Sequence, residues 1–516
     1  MREALEIVLV AFVVIGAVPA VTMGLQFLLV PVHAWRNHYG AAGVALPRVA
    51  VVIPAWNEGA VIGASIERLL ALDYPRESLR LYVVDDASTD DTPAVVLDWA
   101  ARHPGRVIHL RREKGGQGKA HTLNHGLVHV LGEPWAQAVL IMDADVIYAP
   151  DSLRRMARHL ADPQVGAVTA YIREGTRRTA YLNRFVGVEY VLAQLAARRA
   201  QNVLGAMACL AGGAQLHARA NLEALGGRID TATLAEDTVT TLLTQIDGRR
   251  VVFEPHAVVL AEEPRAIDAL WKQRLRWARG NVQVTRRFRR IWFRPRWWGS
   301  GEAADGAAGD GGRHRLGSLT FGAIWFSVLL LPVFMVLASV GLVGLYLLES
   351  SLLWRAFQWL WISIGLIYLY SMLIGVQLDG PVTRRGWREV ILFPGAIAMV
   401  VMLSAFFPGL FDERVPALFG LHLTATGERI WVLFTFVWIS ACMLGAWLCR
   451  VVDRALRRSG EGSRGDGVAN WLSPVLVGLV GYGPILCAIT LDSYVKEARG
   501  AAMVWDKTEK TGRVLS

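Results

Sequence analysis

Apolar residues are distributed along this chain in three regimes. From Leu5 to about His33 they run almost unbroken, enough for one bilayer crossing at ~20 residues. After Leu319 long apolar runs return at about 319–348, 352–376, 390–410, 429–449 and 472–491, with Pro394 and Pro408 interrupting the third. Between these regimes, short β-rich runs alternate with helical periods. Strands are predicted at Val49–Pro54, Leu81–Asp86, Val107–Leu110, Ala138–Asp145, Val165–Ile172 and Val251–Phe253. Helices are predicted to about Leu72, from Asp91, over 118–131, up to Leu204, over 234–246 and from Ile267. Such alternation predicts an α/β domain built on a parallel, doubly wound sheet, in which ligands gather at the carboxyl ends of the strands.

Composition agrees with a membrane class. A 516-residue chain that is 53% hydrophobic, with mean hydropathy +0.34, is too apolar for an ordinary soluble enzyme. The opening run is about twice the length of a signal-peptide core and reads as a retained transmembrane helix. The linkers Arg384–Arg388 and Arg450–Arg464 are basic, while 412–428 leans acidic, so the basic ones are expected in the cytoplasm. Alternation then puts 36–318 in the cytoplasm and the tail after Tyr494 outside. Lys496, Arg499, Lys507, Lys510 and Arg513 contradict that last placement, so one hydrophobic tract is expected to be re-entrant or interfacial. The net charge of +10 suits loops facing anionic lipid better than a nucleic-acid partner. Cys209, Cys442, Cys449 and Cys487 have neither metal spacing nor a disulfide framework, and read as packing residues.

The expected organisation is an N-terminal transmembrane helix over 1–35 and a cytoplasmic domain over 48–282. An amphipathic interface helix follows over 283–299, suggested by six arginines among aromatics between Arg286 and Trp298. A flexible linker over 300–318, a helical bundle over 319–491 and a tail over 492–516 complete it. Trp325, Trp354, Trp359, Trp361, Trp431, Trp438 and Trp447 suit either an interfacial belt or a stacking path for a polar polymer.

Acidic residues mark the ends of the predicted elements. Asp143 and Asp145, one residue apart, can both reach a hard cation such as Mg²⁺ or Mn²⁺ that shares its other sites with phosphates, although a strand-end turn explains them equally. Asp86 follows the second strand, where it suits a nucleotide's base or ribose; Ser88, Thr89 or Asp90 suits the cap of the next helix. Trp56 and Glu58 close the first strand, with Trp56 either a wall for the base or core packing. Lys119 enters a helix from a glycine turn and suits phosphate, but neither a P-loop nor a dinucleotide fingerprint is present. His121, His125 and His129 line one helical face without companion ligands and read as structural. Glu236 and Asp237 open a helix, where Asp237 suits a general base. Gln273, Arg276 and Trp277 share one helical face, with Arg276 suited to diphosphate and Trp277 to a sugar ring.

These blocks, over about 48–290, resemble the family 2 inverting glycosyltransferases, specifically the membrane-embedded polysaccharide synthases with a D, D, D, Q-x-x-R-W signature. Leu270–Ala278 looks most like the poly-β-1,6-N-acetylglucosamine synthases, related to hyaluronan, chitin and cellulose synthases. The chain departs from the pattern at Ala235, where Thr is usual, and at Trp56, where Tyr is common. The resemblance implies a GT-A-like fold with a Rossmann-type mixed or parallel sheet, joined to a helical transmembrane bundle. It implies a multi-pass protein of the cell membrane and a UDP-sugar donor, with Trp56, Glu58, Asp86, Lys119, Asp143 and Arg276 on the nucleotide sugar and Asp143 and Asp145 on Mg²⁺ or Mn²⁺. Asp237 would be the base, and Glu236, Gln273 and Trp277 would border a polysaccharide or glycolipid acceptor.

Overall fold

Strand β1 (Val49–Ala55) is buried at every position except Pro54, as befits a central parallel strand covered on both faces. It pairs in parallel with β2 (Leu79–Asp85) and β4 (Ala138–Ile141), and β2 pairs in parallel with β3 (Val107–Arg111). The computed structural model describes residues 1–516 other than 37–38, 40–41, 45, 177–179, 295–313, 419, 421–424, 459–463 and 503–516. Its eight-stranded sheet has the order β3-β2-β1-β4-β7-β6-β8-β5, with β5 at Val146–Tyr148, β6 at Val165–Glu174, β7 at Gln215–Ala218 and β8 at Arg250–Ala261. The fold is GT-A-like: β7 is antiparallel to β4 and β6, and β5 is antiparallel to β8, so the sheet is mixed.

Alternate side chains of β1 feed two cores. Val51 and Ile53 pack with Ile62, Ile66 and Leu69 of the helix Gly59–Leu70. Ala50 and Val52 meet Leu123, Leu127 and Val130 of the helix Lys119–Gly132. The register Ala55↔Asp85↔Arg111 aligns the ends of β1, β2 and β3, so the loops that follow them share one edge.

Three local departures from the sequence expectation shape the site. Strand β4 stops at Ile141, and Asp143–Asp145 form a turn into β5 rather than the end of a strand. Strand β8 continues well beyond Phe253 because a register irregularity opposite Ala170 and Tyr171 absorbs Pro255. The long helix expected up to Leu204 runs without a break from Tyr181 to Leu204, but winds as a π-helix over Tyr190–Ala196.

Among the described residues two helices are long and apolar enough to cross a membrane: Arg2–Trp35, continuous through Ala17, and Leu353–Leu378. Counting each bent pair as one span raises that to four among the described residues. Those pairs are Leu319–Leu329 with Leu331–Leu347, bent by 78°, and Leu472–Val480 with Tyr482–Ala498, bent by 83°. A further helix, Ala425–Arg458, covers the run expected at 429–449. The tract 390–410 yields only the short apolar helix Ala396–Phe406, starting after Gly395.

The 83° bend has a definite cause. Gly481 (φ +100°) and Gly395 (φ +95°) lie back to back: a Cβ on Gly481 would sit 2.4 Å from the Pro394 carbonyl oxygen, and one on Gly395 would sit 2.5 Å from that of Val480. The Tyr482 N–H donates to the Phe393 carbonyl at 2.9 Å, tying the two bends into one joint. Tyr482–Ala498 is thereby turned onto the helix Ile267–Arg287. Trp271 Nε1 donates to Asp492 at 2.8 Å and Arg279 Nε to Glu497 at 2.6 Å, while Arg279 also reaches the carbonyls of Ala501 and Ala502. This corrects the alternation argument for the tail, because its described start lies against the α/β domain, as its lysines and arginines demand.

The interface helix expected over 283–299 is corrected as well. The helix ends at Arg287, and the chain turns at Phe288–Phe293. Trp292 stacks on Trp325 at 5.1 Å and is buried against the helix Leu319–Leu329, whereas Phe293, stacked on Phe326 at 5.3 Å, stays exposed. Residues 295–299, most of the linker at 300–318, the tail from 503 and the side chains of Trp431 and Trp438 lie outside the described residues.

At the end of β6, burial pushes the Glu174 carboxyl from its usual 4.5 up to about 7, against a hydrogen bond from the Thr176 N–H at 2.9 Å. The folded chain therefore holds this proton more tightly than the unfolded chain. Its contribution to stability is present at low pH and is lost as pH rises from about 4.5 through about 7. Glu174→Gln should flatten the fall in thermal midpoint of the purified protein between about pH 5 and about pH 8; parallel curves for variant and parent would contradict the assignment.

Candidate active site

Seven polypeptide segments build the site at the edge where β1 and β2 end. The loop after β1 is locked to the loop after β2 by three bonds. Asn57 N–H donates to Ser88 Oγ at 2.9 Å, Thr89 N–H to Asn57 Oδ1 at 2.9 Å, and Glu58 N–H to Thr92 Oγ1 at 2.8 Å. Asn57 (φ 52°) and Ala87 (φ 55°) both hold left-handed backbone, a strain characteristic of functional loops. Trp56 and Glu58 are half-buried here.

Asp85 and Asp86 have separate duties. Asp85 is fully buried, accepting from Ser88 N–H at 2.8 Å and from Arg111 at 2.5 Å, and so stabilises the turn. Asp86 accepts from Arg112 and, at 2.9 Å, from the N–H of Gly116 in the glycine turn preceding Lys119. The cap of Thr92–Arg102 also differs from expectation. Asp91 occupies the cap position, while Asp90 Oδ1 accepts from the Thr92 N–H at 3.0 Å.

Lys119 is the hub. Its Nζ lies 2.5 Å from Asp143 Oδ1 and 3.7 Å from Glu236 Oε1, and it donates to the Gly212 carbonyl at 3.1 Å. Burial disfavours its charge, but Asp143 and Glu236 outweigh that penalty and hold its pKa above the ordinary lysine value. Burial raises the Glu236 pKa, with the adjacent Asp237 adding to the effect and Lys119 opposing it.

The turn Gly212–Gly213 packs into the middle of this cluster. A Cβ on Gly212 would lie 3.2 Å from Asp237 Oδ2 and 3.4 Å from Lys119 Nζ, and one on Gly213 would lie 3.3 Å from Asp143 Oδ2. Tyr148 Oη donates to the Gly213 carbonyl at 3.1 Å, and Ser65 Oγ to the Ala144 carbonyl at 2.6 Å, which pins both turns. Asp143, Lys119, Glu236 and Asp237, some 118 positions apart at their extremes in the chain (119 to 237), therefore share one pocket. Asp237 Oδ1 is oriented by the Thr238 N–H at 2.7 Å.

The helix Ile267–Arg287 supplies the remaining wall. Gln273 is buried and bonds Glu263 at 3.2 Å, while Trp277 remains 38% exposed. The Arg276 charge acts on Glu236, so this residue also belongs to the cluster. Arg274, which the sequence reading passed over, is the anchor: it donates to Glu189 and to Gln273 at 2.8 Å each, and its guanidinium lies 4.1 Å from the Trp277 ring centroid. Tyr482 Oη donates to the same Glu189 carboxylate at 2.6 Å, and Tyr190 Oη to Glu263 at 2.6 Å. Two of these partners, Glu189 and Tyr190, lie side by side in the helix predicted up to Leu204.

Cys209 is a free thiol, as expected of a packing residue: it donates to the Leu210 carbonyl at 2.8 Å, and burial, with the Asp237 charge adding and Arg198 opposing, raises its pKa. The rings of His125 and His129 meet edge to face at 5.3 Å.

Asp143 Oδ1 is held by Lys119 at 2.5 Å and no cluster of three or more acidic, His or Cys ligands occurs among the described residues, so a hard divalent cation would rest on Asp143, Asp145 and oxygens brought by the substrate. Asp143 is partly exposed at 37%, Asp145 is half-buried beside it, and an all-oxygen set this small leaves coordination sites for phosphate oxygens.

Residues 47–280 match the family model described as "Glycosyltransferase like family 2". A beta-monoglucosyldiacylglycerol synthase from Synechocystis is 31% identical over 243 residues, covering 47% of this chain and 50% of that protein. An N-acetylglucosaminyltransferase from Rhizobium meliloti is 30% identical over 249 residues, 46% and 57% respectively. A poly-beta-1,6-N-acetyl-D-glucosamine synthase from Staphylococcus epidermidis is 26% identical over 237 residues, 46% and 55% respectively. The chain spans about half the length of the curated relatives it matches.

Proposed function

We propose, from the premise that residues 47–280 form a family 2 glycosyltransferase domain, that this protein is an inverting synthase that transfers a sugar from a UDP-sugar to a growing β-linked polysaccharide. The chain then passes the polymer through its own helices. What carries the reading is the convergence of Lys119, Asp143, Glu236 and Asp237 around Gly212.

Asp86, between Arg112 and the Gly116 N–H, takes the uridine end, and Trp56 and Glu58 flank it. Lys119 and Arg276 carry positive charge to the diphosphate. Asp143 and Asp145 would hold Mg²⁺ or Mn²⁺, which when bound neutralises charge on the departing UDP. Asp237 accepts the proton of the acceptor hydroxyl as its oxygen bonds to the anomeric carbon and the carbon–oxygen bond to diphosphate breaks. Glu236, Gln273 and Trp277 border the acceptor, with the exposed face of Trp277 as platform for a sugar ring.

Transfer of a single sugar to a lipid is the second reading, supported by the name of the Synechocystis relative. Both readings place the domain in the cytoplasm beside a cell membrane crossed several times. Product size separates them. Purified protein with labelled UDP-sugars in a lipid bilayer is expected to give a long, glycosidase-sensitive product; a lipid carrying one sugar would overturn the polymer reading.

A further inference from the structure

Where Leu353–Leu378 meets the α/β domain there is a cavity of about 330 Å³, on a different part of the fold from the Lys119 cluster. Arg155, Tyr171, Arg199, His256, Leu378 and Asp379 line it. The bulge in β8 that accommodates Pro255 opens one wall, and the C-terminal residue of a candidate span forms another.

The charges in this cavity do not balance. Asp379 is used by Arg173 at 3.0 Å and by Tyr171 Oη at 3.1 Å. The neighbouring Glu254 is used by Arg158 and His159 at 2.8 Å each, and by the His256 N–H at 3.0 Å. Arg155 has Asp151 at 2.6 Å. Arg199 has no hydrogen bond or ion pair among the described residues, and its Nε is buried without a partner. Arg199 is half-buried, and the carboxylate that attracts it, Glu254, is already shared by Arg158, His159 and the His256 N–H, so its charge is under-compensated and an added anion would complete it.

The cavity also lies beside the ends of two candidate membrane spans. The helix Ala197–Leu204, which carries Arg199, is held to the end of the first span through Arg36 to the Val203 carbonyl at 3.3 Å and through Asn202 to His33 at 3.3 Å. Trp35, Leu373 and Val376 are exposed at the same ends of the two spans, as expected of a lipid-facing rim. Leu195 and Leu378 provide an apolar floor beside the cations. A phosphate attached to an apolar stem matches this combination better than a free, fully hydrated anion.

We propose that this cavity binds the phosphate headgroup of an anionic membrane lipid, with Arg199 as its principal partner and Arg155 and His256 at the rim. The lipid would complete the seam between the α/β domain and the first two spans.

The test uses the full chain reconstituted in phosphatidylcholine bilayers with and without phosphatidylglycerol, then extracted, with retained lipid counted by native mass spectrometry. Parent protein is expected to retain phosphatidylglycerol. Arg199→Gln should lower retention about tenfold and Arg155→Gln about threefold, whereas Arg199→Lys should keep most of it. Because Gln removes an under-compensated, half-buried charge, Arg199→Gln should unfold no earlier than the parent in phosphatidylcholine alone. Should that variant fail to fold, Leu378→Trp, which fills the cavity, is expected to show the same loss. Equal retention in parent and variants would overturn the proposal. So would displacement of phosphatidylglycerol by millimolar inorganic phosphate, which would identify a site for a soluble anion.

Discussion

Asp237→Asn is expected to lower the rate of UDP release by about 10³-fold while leaving UDP-sugar affinity within about twofold. Asparagine has the same shape and can still accept from the Thr238 N–H, so the geometry around Gly212 survives. It cannot take a proton from the acceptor hydroxyl. The neighbouring acid is a poor substitute, because the Glu236 carboxylate is committed to Lys119. Turnover by Asp237→Asn close to that of the parent would move the base to another residue. Equal loss of affinity and rate would instead mean that the substitution had disturbed the nucleotide pocket.

Arg274→Leu is expected to produce the largest loss of stability among substitutions in the site, about 3 kcal/mol. Arg274 is only 5% exposed and joins Glu189, Gln273 and the ring of Trp277. Without it, Glu189 keeps the Tyr482 hydroxyl as partner but loses its counter-charge in a buried setting. Trp277 loses the cation stacked on it, so acceptor use should decline even in protein that remains folded. The checks are the thermal midpoint and the acceptor dependence of turnover at saturating donor. A variant with unchanged midpoint would show that the Glu189 carboxylate is adequately solvated without the guanidinium.

The expectations that held were those carried by local periodicity. β1, β2, β3 and the helices between them fall within two or three residues of their predicted bounds, because each is an apolar run bounded by turn residues. Strand β7 was missed because four residues, Gln215–Ala218, are too few to display an alternation, and its partners β4 and β6 lie far away in the chain. Of Ser88, Thr89 and Asp90, Asp90 supplies the side chain that accepts from the Thr92 N–H although Asp91 holds the cap position, because the loop after β1 takes Ser88 and Thr89.

The same division runs through the site. Lys119, Asp143, Glu236 and Asp237 were legible as individual chemical groups. Their ion pairs were not, since they depend on how the turn Gly212–Gly213 packs between them. Arg274 was legible only as a neighbour of Arg276; the buried carboxylate that captures it comes from a helix some 85 residues earlier.

Residue order alone thus determined that an α/β unit lies between apolar helices, which acids close its strands, and which helix bears the Gln-Arg-Leu-Arg-Trp face. Tertiary structure alone decided the antiparallel strands, the capture of Arg274 by Glu189, and the return of the last helix onto the domain. Periodicity and turn chemistry act over a few residues and are written locally. Ion pairing and the interlocked bends at Gly395 and Gly481 require segments distant in sequence to meet, and only the folded chain brings them within bonding distance.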